Sequence, residues 1–180
     1  WSFGFLRMGT VGLVSQTFGK SDYRELVNII LRNFCIAFII AFLIIIFKPV
    51  LINIIFQIFA ASTETNSFIK DYISIRVFSA PAELTIYVLI GFFLGIQRTI
   101  ISSSLIIMLS ILNICFSIYF VNELGLNVKG VAFGTLLSAY ITFFSFSVYT
   151  YFYFIKRFKV IPRFAYKKLL NFKKIFKLLI

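Results

Sequence analysis

The sequence has no histidine, two cysteines, three prolines and six acidic residues in 180. Without histidine the chain lacks the commonest general base and the commonest transition-metal ligand. The acids are scattered rather than gathered at one helix end. No catalytic centre, metal site or cofactor is expected, and the chain does not read as an enzyme. Cys35 and Cys115 lie in separate apolar segments with no spacing that pairs them, so both are expected as small core-filling thiols. The first residues do not read as a signal peptide, because they lack a basic n-region and a cleavage motif.

Charge is missing where its absence says most. From Thr99 to Asn122 there is no Lys, Arg, Asp or Glu, and from Gly130 to Ile155 there is again none. A water-soluble core helix keeps a polar face, whereas a helix in hydrocarbon needs about 20 mostly apolar residues to cross a layer roughly 30 Å thick. What is present agrees: 61% of residues are hydrophobic, 19% aromatic and 13% charged, against about 25% charged in a soluble domain. The net charge of +12 sits between and after the apolar runs rather than along one face. That placement points to membrane lipids as the counterions and away from nucleic acid.

Five apolar spans are predicted, at about 1–18, 26–48, 72–96, 100–121 and 131–155. Residues 1–155 would then form a transmembrane unit, and 156–180 a basic cytoplasmic loop leading to a further helix. The runs are continuous rather than alternating, so the fold class is all-α, a polytopic transmembrane helical bundle. Lys20, Arg24, Arg32, Arg98 and the nine cations from Lys156 to Lys177 fall on one set of connections, while Lys70 and Lys129 fall on the other. The richer side is expected to face the cytoplasm. Pro49, directly after Lys48, should end or kink the second span, with Val50 to Ala61 lying as a short helix at the outer interface. The ends, at Trp1 inside one apolar stretch and Ile180 inside an amphipathic one, are those expected of an internal piece of a longer polypeptide.

Charges placed in hydrocarbon are costly and mark candidate sites. Arg7, beside Gly9, Thr10 and Gly12, reads either as a cation lining a cavity or as a side chain snorkelling from a packing seam. Arg76 reads as structural, close to the outer end of its span. Glu83 lies near the middle of that span, just after Pro81, and is either a proton carrier or a neutral or paired structural group. Seven residues separate it from Arg76, roughly 10 Å of helix, so a direct ion pair would require both side chains to stretch. Asn113 and Ser117 share a face, suited equally to interhelical hydrogen bonds and to coordinating a cation or proton. Gly91 and Gly95 form a GxxxG pair and predict close helix packing.

Three ordered blocks resemble the multidrug and toxic compound extrusion (MATE) family, and within it the DinF-type branch. They are FLRMGTVGLVSQTFGKSDY at 5–23, YISIRVFSAPAELTIYVLIGFFLGIQRT at 72–99 and LNICFSIYFVNELGLNVKGVAFGTLLSAY at 112–140. The resemblance implies helices two to six of a twelve-helix transporter, most of its N-terminal six-helix lobe. It also implies an antiporter of the cell membrane, monomeric at full length, that exports organic and often cationic small molecules in exchange for H⁺ or Na⁺ by alternating access. In relatives the driving ion uses a polar network inside this lobe, whose key carboxylates lie on the fifth helix and on a first helix that is expected to precede this chain. Asn113 and Thr135 match positions of that network, but Ser117 stands where an Asp is expected, so the network here loses a titratable group. Glu83 and Arg7 complete the expected ion-coupling and cavity residues. A lipid-linked precursor flippase of the same superfamily would line the lobe with several cations, and Arg7 is nearly alone. A purely structural membrane subunit remains the other reading.

Overall fold

The computed structural model describes residues 3–59 and 63–160, and among these the chain is helical with no strand. In order it forms α1 (Gly4–Gly19), α2 (Tyr23–Ile46), α3 (Lys48–Phe59), α4 (Thr63–Arg76), α5 (Ala80–Gly95), α6 (Thr99–Ile118) and α7 (Asn127–Tyr153). A 3₁₀ turn at Val77–Ser79 joins α4 to α5, and π turns at Tyr119–Glu123 and Phe154–Phe158 extend α6 and α7. Among the described residues, four stretches are long and apolar enough to cross a membrane: Tyr23–Ile46, Thr65–Gly95, Thr99–Glu123 and Asn127–Phe158. The expected first span overlaps α1, which covers Gly4–Gly19 among the described residues.

Local chemistry sets the helix ends. The Asp22 carboxylate accepts the Glu25 amide at 3.0 Å and caps α2. At the other end α2 stops at Ile46, and Pro49 becomes the second residue of α3, where a missing amide hydrogen costs nothing. The third span starts earlier than the expected residue 72, because the polar stretch from Thr63 to Asp71 is helical as well. Thr65–Gly95 runs 31 residues, roughly 46 Å, so its polar turns extend beyond a 30 Å hydrocarbon layer. Lys129 reaches Asp71 there at 3.2 Å, joining α4 to the start of α7.

α5 is the axis of the bundle, packed against α1, α2, α6 and α7. Val88, Leu89, Phe92 and Phe93 along it are 0% exposed. The outer faces carry the large apolar side chains instead, including Phe38 and Phe42 on α2, Ile107 and Ile111 on α6 and Phe144 and Phe152 on α7. This arrangement suits lipid, where helix association depends on close van der Waals packing rather than on escape from water. Small residues supply that packing. A Cβ at Gly91 would lie 2.7 Å from the Arg7 carbonyl oxygen, and one at Gly95 2.7 Å from Val14 Cβ, so these glycines seat α1 directly on α5. Gly12 meets nothing within 4 Å, so it takes no part in this seam.

The basic connections share one end of the bundle. Phe158 stacks on Tyr23 with centroids 4.6 Å apart and touches Phe18, which brings the α1–α2 turn beside Arg157 and Lys159. Two expectations need correction. Arg32 is not part of the connection: it lies within α2, 6% exposed, and pairs with Glu25 at 3.0 Å, one side of a knot in which Asn28 also donates to Glu25 at 2.9 Å. The cysteines are not core fillers, since both Cys35 and Cys115 are exposed on outward helix faces. The basic stretch from Ile161 to Ile180 lies outside the described residues.

Candidate functional site

A cleft of about 560 Å³ opens between α1, the α4–α5 rod, α6 and α7. Four of the five expected site residues line it: Arg7 from α1, Glu83 from α5, Asn113 from α6 and Thr135 from α7. Arg76, Tyr87 and Ser110 add polar atoms, and the rest of the wall is isoleucine and leucine. Ser117, the fifth, is not in the wall. It stands behind Asn113, with its hydroxyl 3.5 Å from Asn113 Oδ1, a weak contact.

The polar residues divide into two groups. On α6 and α7, Asn113 Nδ2 donates to Thr135 Oγ1 at 3.0 Å, and Thr135 in turn donates to the Val131 carbonyl at 3.0 Å. The approach of these helices depends on a second GxxxG pair, Gly130 and Gly134, which the sequence reading passed over. A Cβ at Gly134 would meet the Ser117 amide nitrogen at 2.7 Å, and one at Gly130 the Phe120 carbonyl carbon at 3.0 Å. The signal was the same spacing already noted at Gly91 and Gly95.

On the α4–α5 rod, Arg76 and Glu83 form the direct ion pair that helix geometry seemed to disfavour. Arg76 Nη1 bonds Glu83 Oε1, and Nη2 bonds Oε2 at 3.0 Å. Two full helical turns put both residues on one face, and the long arginine side chain lies along the axis to close the gap. Ser79, between them, has its hydroxyl oxygen 2.7 Å from the Arg76 carbonyl and 3.0 Å from Glu83 Oε1, so its single proton is shared between these two acceptors. Glu83 is thus a paired residue as the helices stand, not an isolated carboxyl. The 3₁₀ turn beneath it is tied across the bundle by Tyr140, whose hydroxyl donates to the Phe78 carbonyl at 3.0 Å. Pro81 follows as the second residue of α5, where, as at Pro49, a missing amide hydrogen costs little.

Arg7 differs from all of these. It lies on the seam side of α1, yet among the described residues it has neither an ion-pair nor a hydrogen-bond partner. One turn further along, Thr10 receives the Asn33 amide at 2.8 Å, a fully buried link between α1 and α2 that leaves Asn33 Oδ1 without a partner. Among the described residues no cluster of three metal-ligating side chains occurs.

Comparison with known proteins agrees with this architecture. The MatE family model matches residues 2–119. DNA damage-inducible protein F of Escherichia coli (strain K12) is 31% identical over 138 residues, covering 77% of this chain and 30% of that protein, so the chain spans less than a third of its relative's length. The fold is similar to the outward-facing conformation of a multidrug resistance MATE family transporter of the MOP superfamily, with a TM-score of 0.82 at 19% identity over 98% of this chain and 39% of that one. The inward-facing conformation of such a transporter gives a TM-score of 0.80 at 21% identity, over 98% and 40%. A MOP superfamily transporter from Pyrococcus furiosus Vc1 (DSM3638) gives 0.81 at 20% identity, over 98% and 38%. The helical bundle, its apolar outer faces and the match along most of its length show that this chain is a multi-pass membrane protein belonging to the MatE family.

Proposed function

We propose that the full-length protein is a secondary active antiporter of the cell membrane, exporting small organic molecules in exchange for H⁺ or Na⁺ by alternating access. The observation that carries this reading is the cleft: polar groups from separate helices converge on a space of about 560 Å³ inside an otherwise apolar bundle. Polar and ionisable groups at membrane depth mark solute and ion paths, because retaining them otherwise costs stability. The similarity of the fold to relatives facing outward and inward supports a lobe that keeps its shape between two states. Asn113 and Thr135, with Ser117 behind them, supply oxygen and amide groups for the driving ion. Glu83 supplies the carboxylate of the cleft, and its protonation would release Arg76. The end bearing Lys20, Arg24, Arg98 and Arg157 faces the cytoplasm, and the full-length protein acts as a monomer among lipids.

Transport in vesicles containing the full-length protein, with the proton and sodium gradients imposed separately, tests this. Dye efflux should follow one gradient, and Glu83→Gln should flatten its pH dependence. Unchanged pH-dependent efflux in Glu83→Gln would remove Glu83 from the coupling path. No gradient-dependent efflux of any organic solute would overturn the transport reading itself.

A further inference from the structure

We infer that Phe158 is an anchor: it clamps the end of α7 onto the α1–α2 turn, so that the packed unit runs on to Lys159 and this end does not bend away from the lobe. The sequence places the end of the last span at Ile155 and gives Lys156 onward to a loop. The contacts of the residues that follow argue otherwise. Phe158 lies against rings from three helices. Tyr23 at the start of α2 stacks on it, with centroids 4.6 Å apart and planes 11° from parallel. Phe18 near the end of α1 stands at 6.2 Å, and Tyr153 on α7 meets it edge-on at 5.5 Å. One turn earlier Phe154 is 2% exposed and stacks at 5.3 Å on Phe92, which is fully buried in α5. The rings therefore join the ends of α1, α2 and α7 to the axis of the bundle.

The backbone gives a second, independent sign. The π turn at Phe154–Phe158 ends at Lys159, whose φ of 53° and ψ of 32° lie in the left-handed region. Glycine is the usual residue at such a helix end, because a side chain there crowds the following carbonyl. The Lys159 amide donates to the Phe154 carbonyl, and the Val160 amide reaches the same oxygen at 3.3 Å. A lysine keeps this costly conformation only where its surroundings over-determine it, and the rings around Phe158 supply that constraint. Stacked and edge-on aromatic pairs gain more than their burial alone, and Phe158 makes both kinds. Lys156, Arg157 and Lys159 remain exposed, so these cations project from an ordered segment. In the alternating-access cycle proposed above they tilt with the lobe, beside Lys20 and Arg24, and no bending between lobes takes place before Lys159. That consequence rests on the transport reading, whereas the anchor does not.

Limited trypsin digestion of the full-length protein in detergent, with the cut sites read by mass spectrometry, tests the anchor. Cleavage after Lys156 and Arg157 requires local opening, and its rate follows the population of the open form when reclosing is fast. Both bonds should resist cleavage in the wild type. Phe158→Ala should speed their cleavage at least about tenfold, and Tyr23→Ala, on a different helix, about threefold. The double variant should fall short of the product of the two by about threefold, because the stacked pair is lost only once. Phe144→Ala, on an outward face of α7, should change neither rate. Cleavage after Arg32, buried in α2, reports opening of the whole unit. Where Phe158→Ala accelerates that cut equally, Phe158→Leu, which keeps apolar bulk and loses the ring, takes its place with the same expected signs. Rapid wild-type cleavage after Arg157, rates that the variants leave unchanged, or effects that simply multiply in the double variant overturn the inference. Failure of the transport reading looks different: the expected cleavage pattern is found, yet no dye moves under any gradient.

Discussion

Replacing Gly91 by alanine should destabilise the bundle, and replacing Gly12 should do the opposite, although both glycines are helical and one methyl group is added each time. At Gly91 the new Cβ would lie 2.7 Å from the Arg7 carbonyl oxygen and 2.8 Å from Thr10 Cβ, against the 3.4 Å at which ordinary contact begins. The shortfall is 0.7 Å, and the atoms in the way are backbone and a β-branched carbon in a turn already fixed by the Thr10–Asn33 hydrogen bond. Neither can swing aside, so α1 must lift off α5. Overpacking of this kind costs about 1–3 kcal/mol, and the better helix propensity of alanine returns about 1 kcal/mol. The net expectation is a loss of up to about 2 kcal/mol for Gly91→Ala. Gly12 has nothing within 4 Å, so Gly12→Ala keeps the propensity gain of about 1 kcal/mol. Thermal unfolding of the full-length protein in detergent should move the two midpoints in opposite directions. Equal shifts, or a Gly91→Ala protein as stable as wild type, would refute the account of α1 as a helix seated through glycines. A second readout follows from the identity of the clashing atom: lifting α1 carries Arg7 with it, so solute binding should weaken in Gly91→Ala before unfolding begins.

Three further outcomes are expected. In a double-mutant cycle, Arg76→Gln and Glu83→Gln should each destabilise more than the double variant would suggest by addition, with a coupling of about 1–2 kcal/mol, between the values for exposed and buried pairs; a coupling near zero in unfolding measurements would mean the pair contributes nothing. Thr135→Val, which removes the 3.0 Å bond from Asn113, should cost only about 0.6 kcal/mol of stability yet change the ion dependence of efflux, and identical ion titrations would exclude the α6–α7 group from coupling. Asp22→Ala removes the cap of α2 and should cost about 1 kcal/mol, while Asp22→Asn should largely preserve it, as read by the same unfolding assay.

The bundle was legible because lipid imposes a simple code: uncharged runs at Thr99–Asn122 and Gly130–Ile155 can only be satisfied as helices. Pro49 marked its break for an equally local reason. The polar start of α4 was hidden because hydropathy detects the layer a helix crosses and not the turns that protrude from it. Arg76 and Glu83 were singled out separately, but their pairing depends on side-chain reach along two turns, which sequence distance underestimates. Arg32 looked like a loop cation because it lies near Lys20 and Arg24, and only its partner Glu25, seven positions earlier, shows how a helix buries it. For the cleft, residue identity pointed to Arg7, Glu83, Asn113 and Thr135, but their convergence on one space is a fact of three-dimensional placement. No periodicity encodes it.

The hydroxyl of Tyr140 holding the Phe78 carbonyl gives the lobe a brace at its weakest joint. A rod interrupted by a 3₁₀ turn would ordinarily flex there, letting its upper and lower halves wander independently. Stitched to the neighbouring column at the interruption, it instead carries a push from either end as one lever.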